Sequence, residues 1–203
     1  MNKDWEGISK SSLIFNHESS RLISYSQPAP GVSAATFLNA ARGSERFFWE
    51  DVRDGIVFAG FGTAVNLYAW GETRFASIQQ QAKALFADAV LLNQTSPLAA
   101  PRLFGGFAFR DDFVPENAWA SFQPAHFSLP HYQLVQVSGD VWLTINAFIP
   151  KADDPAESLP VLQEALAARH ALLAGEQGSR GAEERISPLA PCPPSPQINY
   201  PMP

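Results

Sequence analysis

The sequence contains one cysteine, Cys192, in 203 residues, so it has no disulfide framework and no cysteine-based metal site. A single cysteine is consistent with a reducing compartment, so we expect a cytoplasmic protein. Long apolar runs are also missing, since none approaches the ~20 residues that a membrane-spanning helix needs. The start MNKDWEGISK is charged and is not a signal peptide. We therefore expect no membrane partner, and residues 1–10 are predicted to be loosely attached.

Basic residues are scarce. Lys and Arg number 14 against 20 Asp and Glu, which gives a formal net charge of −6 at pH 7. A nucleic-acid surface needs clustered Lys and Arg, so we expect no nucleic-acid partner. The few lysines also lack the apolar setting that would make one of them a catalytic base. These are Lys3, Lys10, Lys83 and Lys151.

Apolar residues form 46% of the chain and aromatic residues 12%, which is enough for one substantial core. Alternating patterns and turn residues predict strands at 12–16, 21–26, 46–51, 55–62, 64–70, 102–109, 132–137 and 141–148. The last two strands are joined through Gly139 as a hairpin. Helical spacing predicts a helix over 73–91. Asp154 followed by Pro155 predicts the start of another helix, which is expected to end at Gly175.

Proline is concentrated in the last part of the sequence. Residues 186–203 hold seven of the 17 prolines, so this stretch cannot form a helix or a central strand. We expect residues 1–177 to form a scaffold domain. Residues 178–203 are predicted to be a Pro-rich linker that leads into a further domain.

Two motifs have both a functional and a structural interpretation. Gly60-Phe61-Gly62 begins like a dinucleotide fingerprint, but Val65 stands at the third glycine position and a strand pattern follows instead of a helix. A strand bend or bulge is the alternative. Arg110-Asp111-Asp112 offers adjacent carboxylates that either bind Mg²⁺, share a proton or form a solvated turn.

The histidines are scattered along the chain, at His17, His126, His131 and His170. The spacing of the middle two is not the i, i+4 spacing of a helical metal site, and a proline lies between them. No Gly-x-Ser-x-Gly elbow is present for a serine nucleophile. The sequence therefore predicts no catalytic residue, no cofactor-binding residue and no metal ligand in this chain.

The order of several motifs resembles the N-terminal part of the chorismate-utilising enzymes, and within them the isochorismate synthases. The similarity covers roughly residues 45–150. It rests on FFWEDVRDGIVFAGFGTA at 47–64, RLFGGFAF at 102–109, Trp119, Phe122 and HFSLPHYQL at 126–134. The anthranilate synthase branch has Leu-Leu-Glu-Ser where this chain has Phe48-Trp49-Glu50-Asp51. That difference argues for the isochorismate branch.

The resemblance implies an α+β fold, with a curved antiparallel sheet and helices packed on one face, like the N-terminal half of anthranilate synthase component I. It also implies that the general base, the general acid and the Mg²⁺-binding glutamates of the parent enzyme belong to a C-terminal half that follows the linker. None of those positions falls on a residue of this sequence. We therefore expect no cofactor in this chain, whereas Mg²⁺ and chorismate are expected in the full-length enzyme.

The expected function is that of the N-terminal, non-catalytic part of an isochorismate synthase, present as a truncated gene product or an isolated fragment. The parent activity converts chorismate to isochorismate for menaquinone or siderophore and salicylate biosynthesis. One alternative is an interaction module that complements a separate chorismate-binding chain. Another is the same part of an aminodeoxychorismate or salicylate synthase. The expected partner in each case is the missing catalytic domain.

The adjacent glycines of RLFGGFAF suggest a close approach of another backbone, because glycine gives a strand nothing to pack. We expect Gly105 and Gly106 to let a neighbouring strand or helix pack tightly. The aromatic residues Phe104, Phe107 and Phe109 are expected to fill the interior.

Overall fold

The computed structural model describes residues 19–110, 112–114, 116 and 122–180, with side chains up to residue 175. The strands are β1 (Ser20–Pro28), β2 (Arg46–Asp51), β3 (Ile56–Ala69), β4 (Val90–Leu92), β5 (Phe104–Phe107), β6 (Ala125–Val137) and β7 (Asp140–Pro150). The helices are α1 (Ala34–Ala40), α2 (Arg74–Ala87) and α3 (Pro155–Arg180), with a 3₁₀ turn at Pro97–Ala99. Within the described residues, each helix is too short or too polar to span a membrane.

The strands form one sheet in the order β2-β3-β6-β7-β1-β4, and β5 pairs with β6 off this path. Every pair is antiparallel except β1 with β4. The predicted α+β fold with a mostly antiparallel sheet is confirmed. The β6–β7 hairpin is also confirmed, and its turn has positive φ at both Ser138 (51°) and Gly139 (90°), as a tight two-residue turn requires.

Strand β3 is one continuous strand, whereas the sequence predicted two. An irregularity in pairing with β6 lies between Thr63 and Val65, where β3 has one residue more than its partner. Gly62, at φ 63°, accommodates the left-handed backbone at this bulge. The extra residue reverses which side chains of β3 point to each face of the sheet. Phe61 therefore belongs to one hydrophobic cluster and Val65 to the other.

Helices cover both faces of the sheet, which corrects the prediction that they pack on one. Residues of α1 and α3 pack with Ile23 of β1, whereas α2 packs with the adjacent Leu22. Neighbouring residues of a strand point to opposite faces, so α2 lies across the sheet from α1 and α3. The physical reason is that both faces of β1 are buried, with Ile23 and Tyr25 on one face and Leu22 beside the hydrogen-bonded Ser24 on the other, so each face must be covered.

Helix α3 begins where the sequence predicted. Pro155 is its first residue, and the Asp154 carboxylate accepts a hydrogen bond from the Ala156 amide at 2.9 Å. The helix then continues past Gly175 to Arg180, so the predicted end is wrong. A glycine inside a helix costs only about 1 kcal/mol, and this one does not terminate it.

Several sequence predictions lie outside the described residues. They are the loose segment 1–10, the strand at 12–16, Trp119, Cys192 and the linker over 186–203. The boundary between a scaffold at 1–177 and a linker at 178–203 stays a prediction.

Candidate functional site

The glycine-bearing strand β5 runs against β6, with Gly105 opposite Phe127 and Gly106 opposite His126. A Cβ atom on Gly105 would overlap the His126 carbonyl oxygen and lie 2.6 Å from the Phe127 Cα atom. The predicted close approach at Gly105 is confirmed, and the neighbour is a protein backbone. A Cβ atom on Gly106 would meet nothing within 4 Å, so the same prediction for Gly106 is wrong.

A buried network of polar side chains fixes the segment that leads into β5. The Gln133 side-chain oxygen accepts hydrogen bonds from the Arg102 amide (2.9 Å) and from the side-chain amide of Asn146 (3.0 Å). The Gln133 amide donates to the Ala100 carbonyl at 3.3 Å. The Thr144 hydroxyl donates to the Ala99 carbonyl at 2.9 Å. The segment 99–102 is thereby anchored across β6 and β7.

A first groove of about 770 Å³ lies between β2 and the segment entering β5. Its wall is aromatic, because Trp49 packs on Phe58 at 5.7 Å and Phe47 stacks on Phe104 at 5.5 Å between ring centroids. The Arg102 guanidinium lies 4.3 Å from the centre of the Phe58 ring and donates to the Leu98 carbonyl. Burial lowers the pKa of Arg102 from its ordinary value.

A second groove of about 780 Å³ lies on the other flank of β5, and Gly105 lines both grooves. Its lining is mainly apolar and includes four phenylalanines: Phe107, Phe109, Phe113 and Phe122. Phe109 is fully exposed at 101% of its surface and Phe107 is exposed at 37%. The prediction that these two phenylalanines fill the interior is therefore wrong, whereas Phe104 is half-buried.

A polar cluster beside the second groove was not predicted. The Ser128 hydroxyl donates to the Asn66 side-chain oxygen, and the His126 Nε2 atom lies 3.0 Å from that oxygen and 3.1 Å from the Ser128 hydroxyl. Tyr68 stacks on the His126 ring at 4.6 Å. Among the described residues, both polar contacts of His126 use the Nε2 atom, so this is not the two-nitrogen relay of a serine nucleophile. The only sequence signal was the alternation of His126 and Ser128 within one strand.

The other sequence candidates do not converge on one place. Gly60-Phe61-Gly62 lies within β3 and has no helix behind it, which favours the strand interpretation over a phosphate site. Arg110 forms an exposed ion pair with Asp112, at 2.8 Å and 2.5 Å, and the hydrogen bond from Arg110 lowers the pKa of Asp112. Asp111 and His17 lie outside the described residues. His170 lies in α3.

His131 gives the fold a pH dependence. Burial lowers the pKa of His131, and the positive charge of Arg169 acts in the same direction. Because the unfolded chain binds a proton more readily than the folded chain below about pH 6.5, stability is expected to fall on acidification through that value. The free energy of unfolding in urea, measured at roughly pH 7.5 and roughly pH 5.5, should change less in His131→Gln than in wild type. Equal acid sensitivity would contradict this assignment.

Comparison with known proteins gives three findings. The family described as chorismate binding enzyme matches residues 9–188. The salicylate biosynthesis isochorismate synthase of Pseudomonas aeruginosa is 31% identical over 147 residues, which covers 68% of this chain and 29% of the relative. The solved structure of the menaquinone-specific isochorismate synthase MenF from Escherichia coli is similar with a TM-score of 0.43 and 15% identity. It covers 73% of this chain and 29% of that chain.

Proposed function

Because this chain belongs to the chorismate-binding enzyme family, we propose that it is the N-terminal, non-catalytic scaffold of an isochorismate synthase. The parent enzyme would convert chorismate to isochorismate, for menaquinone or for siderophore and salicylate biosynthesis. The chain is related to an isochorismate synthase but spans 29% of the length of that relative. In this proposal the remaining part of the enzyme supplies the reaction chemistry.

The observation that carries the proposal is the open aromatic surface on both flanks of β5. Phe109 and Phe122 in the second groove and Trp49 in the first expose half or more of their surface. Contiguous exposed apolar surface on a globular protein marks a place where another protein part or a ligand packs. A catalytic part that covers these grooves would bury the rings, which gives the scaffold its role.

The described residues do not fit the Mg²⁺ ion of the parent enzyme. In the described parts of the chain, no three side chains among His, Cys, Asp and Glu come close enough together to share a metal ion. Magnesium in enzymes is held by carboxylate oxygens and substrate oxygens, and Asp112 is already paired with Arg110. We therefore assign no step of the reaction to a metal held by these residues.

The test is a chimera in which this chain replaces the corresponding part of the Pseudomonas aeruginosa relative. We expect the chimera to convert chorismate to isochorismate in the presence of Mg²⁺, and the relative lacking that part to be inactive. The isolated 203-residue chain should form no isochorismate above the uncatalysed rate. A folded but inactive chimera would contradict the scaffold role, and activity of the isolated chain would contradict its non-catalytic character.

The two apolar grooves also favour a second candidate, an interaction module that complements a catalytic part on a separate chain. In that case, mixing this chain with the separately produced catalytic part of the same relative should restore isochorismate formation. Restoration only by covalent fusion would support the one-chain arrangement instead.

A further inference from the structure

Strand β2 is an end strand of the sheet, and among the described residues it pairs with β3 alone. Phe48 and Trp49 are exposed at 54% and 50%, and as neighbours in a strand they point to opposite faces. Natural edge strands are usually shortened, covered or protected by inward charges and proline. β2 carries the charged residues Arg46, Glu50 and Asp51, but it also presents exposed aromatic rings on both faces. Opposite charges and aromatic rings on one strand allow it to pair with another strand that carries the same set.

The backbone of β2 has a defined outward set of hydrogen-bonding groups. The Glu45 carbonyl accepts a hydrogen bond from the Gly62 amide at 3.0 Å, and the register continues with Arg46 opposite Phe61. In an antiparallel pair, residues alternate between those bonded to the partner and those facing away from it. Within the described part of the chain, the outward amides and carbonyls that have no strand partner are therefore those of Arg46, Phe48 and Glu50.

The β2 sequence is complementary to itself in one register. A two-fold axis perpendicular to the sheet pairs β2 antiparallel with β2 of a second copy and keeps each face continuous. When Phe48 is placed opposite Phe48 of the second copy, Arg46 lies opposite Glu50 on one face, and Phe47 lies opposite Trp49 on the other. Opposite charges and aromatic pairs are the favourable cross-strand combinations. All outward backbone groups meet outward groups in this arrangement.

A register centred on Trp49 is less favourable than the register centred on Phe48. An axis at Trp49 places Phe48 opposite Glu50 and Phe47 opposite Asp51, so that aromatic rings face carboxylates. The register centred on Phe48 has one unfavourable contact, because Glu45 of one copy lies opposite Asp51 of the other at each end of the paired strands. Each of these carboxylates already has partners in its own chain, because Glu45 accepts from the Thr63 hydroxyl and Asp51 accepts from the Arg53 amide at 2.9 Å.

We propose that this chain forms a two-fold homodimer in which the β2 strands of two copies pair edge to edge, with Phe48 at the axis. The sheet becomes continuous across the interface. The Arg46 guanidinium donates one hydrogen bond to the Leu38 carbonyl of its own chain at 3.1 Å, and its remaining N–H groups pair with Glu50 of the other copy. The proposal concerns the edge of β2. It shares Trp49 with the first groove of the proposed scaffold function, but its test measures molar mass and not isochorismate formation.

The test measures the molar mass of the full 203-residue chain by sedimentation over a range of micromolar concentrations. Wild type should be a dimer. Arg46→Glu should raise the dimer dissociation constant at least about tenfold, because the new glutamate faces Glu50 of the other copy and the two-fold symmetry places this like-charge pair at two positions. The double variant Arg46→Glu/Glu50→Arg restores opposite charges and should restore dimerisation. Lys83→Glu, the same charge change at an exposed position of α2, is the matched control and should have no effect.

A second measurement separates loss of pairing from loss of folding. Hydrogen exchange at the Phe48 and Glu50 amides should be slow in the dimer and fast after Arg46→Glu, while circular dichroism stays unchanged. A monomeric wild-type chain overturns the proposal. So does a dimer that is insensitive to Arg46→Glu, or a double variant that stays monomeric, since either would place the interface elsewhere.

Discussion

Gly105→Val is expected to destabilise the chain by about 3 kcal/mol or more, enough to leave little folded protein. The added Cβ atom would lie 2.6 Å from the Phe127 Cα atom and 2.8 Å from its Cγ atom, and would overlap the His126 carbonyl oxygen. Because backbone atoms of a paired strand cannot move aside singly, β5 would separate from β6. Urea denaturation monitored by circular dichroism measures the loss.

Gly106→Val is the matched control, because the same substitution one residue later meets no atom within 4 Å. Its free energy of unfolding should stay within about 0.5 kcal/mol of wild type, as for most exposed positions. Similar losses in the two variants would mean that strand entropy, and not the contact with β6, explains the glycine at position 105.

Asn146→Leu is expected to cost about 3 kcal/mol, since it removes the centre of a buried polar network. Asn146 is fully buried, accepts from the Ser24 hydroxyl at 2.8 Å and donates to the Pro130 carbonyl at 2.9 Å. Leucine has a similar volume but leaves these groups without partners inside the protein, where unpaired polar atoms are costly. Urea denaturation reports the loss. Hydrogen exchange at the Arg102 amide should accelerate, because Gln133 loses the contact that orients it.

The comparison variant is Asn39→Leu on α1. Asn39 is only half-buried, and its side-chain oxygen accepts one bond, from Arg42 at 3.3 Å. We expect a change within about 0.5 kcal/mol. If Asn146→Leu is equally mild, the network does not hold the segment 99–102 in place.

Elements that depend on residues close together in the sequence could be predicted from local sequence patterns. Strand β2 runs over Arg46–Asp51 as predicted, and Gly139 closes the hairpin after β6. Strand β6 was harder to predict because Pro130 lies inside it, and proline normally argues against a central strand. Here the strand pairing changes beside Pro130, since β5 pairs with β6 up to Ser128 and β7 pairs with it from Tyr132.

The site was less predictable because it depends on contacts between distant residues. Adjacent glycines look alike in the sequence, and only the pairing with β6 separates the crowded Gly105 from the open Gly106. Asn66 and Ser128 are brought together by the β3–β6 register, which follows from the bulge. Phe109 appeared to be a core residue because its neighbours are apolar, but the sheet pairing ends before it.

Because of its bulge, β3 packs against two different sets of neighbours. Before it, Ala59 and Phe61 lie in the cluster that includes α1 and α3; after it, Val65 and Leu67 lie in the cluster that includes α2. A change in side-chain size at Ala59 or Phe61 must be compensated in α1 or α3. A change at Val65 or Leu67 must be compensated in α2. In related sequences the two halves of β3 should therefore co-vary with different helices, although they are continuous in the chain.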